Sequence, residues 1–109
     1  MLGVRLYLWQ RLSALVMVPL VAGHLAVMMV AVRDGLTAAE ILSRTQGSLA
    51  WGLFYGLFVI AVSIHAAIGV RVIAHETLKV SGGTLTVLTW ALGLGLLALG
   101  GRAVAAVVL

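Results

Sequence analysis

His24 and His65 each stand deep inside a long apolar run, and Arg71 follows His65 by six residues. Ionisable side chains at membrane depth are costly, so those that persist there are functional by default. A neutral imidazole can give one nitrogen to a metal while the other makes a hydrogen bond. The chain has no cysteine, which excludes disulfides, thiolate zinc sites and iron–sulfur ligation on this chain and leaves imidazole or oxygen as the only metal donors. Imidazole among aliphatic side chains suits haem iron, because the porphyrin supplies apolar surface that fills a gap between helices. Gly69 lies one turn beyond His65 on the same helix face, where a missing side chain lets a flat macrocycle approach the backbone. Arg71 is turned about 240° from His65 and is expected to meet a phosphate headgroup, or a haem propionate, by snorkelling.

The elements that must carry these residues follow from composition. Of 109 residues, 63% are hydrophobic and 9% charged, against about 25% charged in a soluble domain. So short a chain cannot cover that much apolar surface with polar groups, so lipid must solvate most of it, and disorder is excluded by the same arithmetic. Three apolar stretches, each long enough to cross the bilayer, predict an all-α, three-helix integral membrane anchor that forms a bundle with a partner subunit. Residues 1–109 are read as one transmembrane domain, with helices at about 12–32, 49–74 and 84–101. The apolar run after Arg11 is too long for a cleavable signal core, so the mature chain is expected to begin near Met1. Between the first two spans, Thr37 and Glu40 form a capping-box pattern ahead of Ile41 and Leu42, which predicts a short helix on the membrane surface. A tight turn ending in Ser81, Gly82 and Gly83 separates the second and third.

The net charge of +4 sets orientation in such a chain and does not indicate nucleic-acid binding. Arg5, Arg11, Arg71 and Lys79 fall on the N-terminal side, against Arg33, Arg44 and Arg102 on the other, which favours a cytoplasmic N-terminus. His24 lies about 20 Å from the boundary at Arg11, and His65 about 9 to 16 Å from the same side. One haem needs two axial ligands at one height, so the two histidines are not partners for each other, and each requires a histidine from another chain. No acid lies deep in any span, which argues against a proton-coupled or small multidrug-type transporter. An alternative for His24 is a packing histidine bonded to a Ser, a Thr or a carbonyl, such as that of Leu15, which Pro19 frees by bending its helix. Gly52 and Gly56 form a GxxxG face, while Gly93, Gly95, Gly100 and Gly101 are expected to admit a neighbouring chain. Trp9, Trp51, Tyr55 and Trp90 are read as aromatic-belt anchors, and His75 as a solvated loop residue.

The run 63–76, with His65 followed by Gly69 at +4, Arg71 at +6 and Glu76 at +11, resembles the second helix of the membrane anchor subunits of succinate dehydrogenase and fumarate reductase. Residues 10–14, with Arg11 and then Ser13 and Ala14, are similar to the opening of that family's first helix. Together the two matches cover about a sixth of the chain and occur in the expected order. The resemblance implies that His65 is an axial ligand of haem b on the cytoplasmic side. It also implies a ubiquinone or menaquinone site near that face, drawn from Arg11, Glu76, Tyr7 and Ser13. Family members with two haems carry the second ligand in the first helix, which implies that role for His24. The implied partners are a flavoprotein subunit, an iron–sulfur subunit and a second membrane anchor chain, in the bacterial inner membrane. Two departures stand out. The Asp-Tyr pair of one anchor type reads Glu76-Thr77 here, and the His-Arg pair of the other reads Gln10-Arg11. Quinone reduction consumes two electrons and two protons, so an apolar slot with donors near water is required, and Arg11, His75 and Glu76 fall at one expected boundary. The competing reading is a structural or assembly subunit whose histidines are packing residues.

Overall fold

The computed structural model describes residues 3–109, which form four helices: α1 (Val4–Asp34), α2 (Ala38–Thr45), α3 (Leu49–Leu78) and α4 (Gly82–Val108). Three of them, α1, α3 and α4, are long and apolar enough to cross a membrane, which makes this a multi-pass membrane protein. Each exceeds what a hydrocarbon core of about 30 Å requires, and the bundle is 47 Å long. The excess explains the differences from the hydropathy boundaries. α1 begins at Val4 because Tyr7, Trp9, Gln10 and Arg11 are poor lipid-core residues yet tolerate helix well, so Arg11 sits inside the helix instead of ahead of it. α1 also runs through Pro19 as one continuous helix. α4 continues past Gly101 and Arg102 to Val108.

α3 is the central strut, packed against α1 on one side and α4 on the other. It holds five of the buried residues, Ala61, Ser63, Ala67, Ile68 and Ala74, most of them small. Apolar transfer gives little drive for helix association in lipid, so close backbone approach must supply van der Waals contact instead. The tightest such approach is at Gly100 of α4, where an added Cβ would lie 2.5 Å from Val59 Cγ1. The GxxxG face does not play this part: a Cβ at Gly52 would make ordinary contact with Val108, and one at Gly56 would meet nothing within 4 Å. Away from the seams the surface is apolar; Leu15 and Val18 are each 69% exposed, leaving those faces to lipid or another subunit.

The expected surface helix is α2. Thr37 Oγ1 accepts from the Glu40 N–H at 3.2 Å, and Glu40 Oε2 accepts from the Thr37 N–H at 3.0 Å, which completes the capping box. α2 closes the far end of the bundle, because Thr45 Oγ1 donates to the Val107 carbonyl at 2.6 Å and the Gly47 N–H to the Val108 carbonyl at 2.7 Å. Thr37→Ala is expected to cost about 1 kcal/mol of local stability and to speed amide exchange in α2 about fivefold. The Thr37 N–H and hydroxyl, with Arg44 nearby, hold the Glu40 carboxyl below its ordinary value. A depressed folded pKa means that the stabilisation is present above the ordinary carboxylate pKa and is lost as pH falls through the lowered one. Acid is therefore expected to fray α2 before the spanning helices, and Glu40→Gln to flatten that pH dependence of α2 exchange.

Candidate functional site

The α1–α3 register brings His65 to Ser13. Ser13 is 5% exposed, its hydroxyl donates to the Gln10 carbonyl at 2.9 Å, and its Oγ lies 3.4 Å from Nδ1 of the half-buried His65. Gly69, one turn further along α3, faces the same helix: a Cβ there would touch Gln10 Nε2 at 3.5 Å. The space above this glycine is filled by the Gln10 amide, so its immediate effect is to let α1 lie close, and a macrocycle at His65 must approach from beside this seam. Gln10 Oε1 is buried with no hydrogen-bond partner.

His24 lies eleven residues further along α1 than Ser13, about 16 Å along the axis and on the same helix face. The two imidazoles therefore occupy different depths. His24 Nδ1 is buried with no partner, so the bond to a Leu15 carbonyl or to a hydroxyl is not made. Aromatic rings surround it: Phe58 edge-on at 5.2 Å between centroids and Tyr55 edge-on at 6.0 Å. Tyr55 stacks on Trp51 at 5.6 Å, which places these two expected belt residues in a cluster around His24. Cavities of about 290 and 400 Å³ open beside the ring, one towards Gly100 and Val104 of α4, the other between Val27 and Trp51.

A third group gathers where α3 turns into α4. Arg71, His75, Glu76 and Ser81 line a cavity of about 210 Å³. Arg71 Nη1 donates to Thr89 Oγ1 at 3.2 Å, which ties the guanidinium to α4. His75 is a helical, half-buried residue whose Nδ1 lies 2.9 Å from the Val80 carbonyl; since a carbonyl only accepts, Nδ1 carries the proton. The turn closes at Lys79, which takes the left-handed conformation (φ 59°) and returns its ammonium to the Glu76 carbonyl at 3.1 Å. The sequence placed His75 at this boundary but read it as a solvated loop residue, because the second span was ended at 74; the helix instead runs to Leu78 and holds it half-buried. The spacing of Arg71, His75 and Lys79 at successive turns was the available signal.

The residues expected at a quinone site do not form one cluster. Ser13 is engaged with His65. Arg11 and Tyr7 are exposed, with the Arg11 guanidinium 5.6 Å from the Tyr7 ring centre, and Glu76 lines the cavity at the α3–α4 turn with Arg71 and His75. Trp9 and Trp90 flank an apolar groove of about 530 Å³ that reaches Ser63, Ala67 and Gly93. No set of three or more His, Asp or Glu side chains converges among the described residues. Compared with protein-family models, curated proteins and solved structures, the chain gives no significant match.

Proposed function

We propose that the chain is a haem b-binding, quinone-site membrane anchor of a succinate:quinone oxidoreductase or quinol:fumarate reductase. One observation carries this reading: two imidazoles stand about 16 Å apart along a single helix seam, His65 against Ser13 and His24 among Tyr55 and Phe58. That is the arrangement of a chain contributing one axial ligand at each of two heights, with a second anchor supplying the other half. The residues fit haem. His24 has a buried, unpartnered nitrogen beside two cavities, and His65 is half-buried with one nitrogen engaged by Ser13.

When bound, haem supplies one-electron carriage between the iron–sulfur subunit and quinone. The chain's own residues hold its place. His65 and His24 would be the residues that hold haem, one nearer each end of the α1–α3 seam, and the small side chains along α3 bring α4 close. Arg71, tied to Thr89, presents fixed positive charge to a propionate or a lipid phosphate. At the polar end, His75 and Glu76 can exchange protons with water beside a quinone oxygen, with Arg71 as a fixed donor. Arg11 and Tyr7, on the outer face of α1, are available to a quinone bound against the partner subunits. The reading places the N-terminus on the cytoplasmic side of a bacterial inner membrane, where the catalytic subunits dock. The packing of Gln10 against Gly69 favours the other reading, a structural subunit without haem.

Affinity purification of the tagged full chain from its native membrane tests the proposal. Covalent or tight flavin, iron–sulfur signals and succinate- or fumarate-linked quinone turnover are expected to accompany it. A stable complex containing none of these would overturn it.

A further inference from the structure

We propose that Ser13 is a positioning residue that keeps the proton of His65 on Nδ1 and so leaves Nε2 as the nitrogen presented to iron. The inference rests on the reading of His65 as a haem ligand and adds the device that prepares it. A serine hydroxyl has one proton, and the Gln10 carbonyl, which can only accept, takes it at 2.9 Å. At the longer 3.4 Å contact the Ser13 oxygen therefore accepts, and His65 Nδ1 donates. A neutral imidazole that donates from Nδ1 has its lone pair on Nε2, the form needed to coordinate a metal.

Ser13 is held for this task. It is 5% exposed, and the bond back to Gln10 fixes its rotamer on α1. The Gln10 side chain, lying against Gly69, occupies the next turn of the seam, where water would otherwise compete for the imidazole N–H. The same geometry commits the Ser13 proton to the Gln10 carbonyl and one lone pair to the imidazole. An unconstrained neutral imidazole prefers its proton on Nε2, the opposite of what the metal needs, so the hydroxyl works against the intrinsic preference.

The test is nitrogen NMR of ¹⁵N-histidine-labelled full chain in nanodiscs above pH 8, with haem retention and potential read on the complex purified from its native membrane, for wild type, Ser13→Ala and Ser13→Thr. In the haem-free wild type His65 is expected to be protonated on Nδ1. Ser13→Ala is expected to move the proton to Nε2, and Ser13→Thr, which keeps the hydroxyl and its bond to the helix, to restore it. In the purified complex, Ser13→Ala is expected to weaken haem retention about tenfold and to raise the reduction potential, with recovery of both in Ser13→Thr. A His65 tautomer unchanged by Ser13→Ala overturns the assignment, whatever the haem content. A tautomer that moves while haem retention and potential stay at wild-type values upholds the role of Ser13 and overturns His65 as the ligand.

Discussion

Replacing His65 with alanine is expected to remove at least about nine-tenths of the haem b held at that level, with little loss of assembly. The proposed ligation sets the size of the effect: without the imidazole, haem at that height would lose the donor this chain is proposed to supply. The small structural cost follows from the hydrogen bonds. His65 is half-buried, and Ser13 keeps its bond to the Gln10 carbonyl when the imidazole is gone, so no buried proton is left unpaired. Haem per protein from the pyridine haemochrome, read beside a thermal melt of the complex, separates the two effects. Equal haem in the variant and the wild type would assign His65 to packing.

The second large effect is expected at Gly100. A Cβ there would stand 2.5 Å from Val59 Cγ1 and 3.0 Å from Cγ2, closer than side chains tolerate, and both partners are on spanning helices that cannot easily part. Gly100→Val is expected to cost about 1–3 kcal/mol as α4 is pushed from α3. Because the His24 cavity is lined by Gly100 and Val59 together, the same change should disturb a ligand bound there. Gly101→Ala is the control, since nothing lies within 4 Å of a Cβ at that position. Unfolding in mixed detergent micelles should show a loss for the first and little change for the second. Equal behaviour would mean that the α3–α4 seam is not closed at Gly100.

The spans were legible because lipid imposes one requirement, about twenty apolar residues, that composition alone reveals. Their ends were not, since a helix leaves the hydrocarbon core before it stops: Gln10 and Arg11 at one end and Arg102 near the other are helical despite their polarity. α2 was readable down to its cap, because Thr37 and Glu40 act within a single turn. Packing was less accessible. The GxxxG pattern drew attention to Gly52 and Gly56, whereas the close approach falls at Gly100, whose role depends on the rotation of α4 against Val59.

The site shows the same division. His65, Ser13 and Gly69 each stood out in the sequence, but their meeting is a matter of helix register, which hydropathy does not contain. Arg11 and Glu76 looked like neighbours because both fall near one boundary. In the structure Arg11 lies over the Tyr7 ring, while Glu76 lines the turn cavity with Arg71 and His75. His75 is held in a helix, and not in a solvated loop, because α3 continues to Leu78.

A reduced-minus-oxidised optical spectrum of the purified complex, with haemochrome quantitation per copy of this chain, tests the central claim most directly. The account predicts b-type α-band absorption, with two haems per chain and one remaining in His24→Leu. A fully assembled complex with no haem absorption would contradict it.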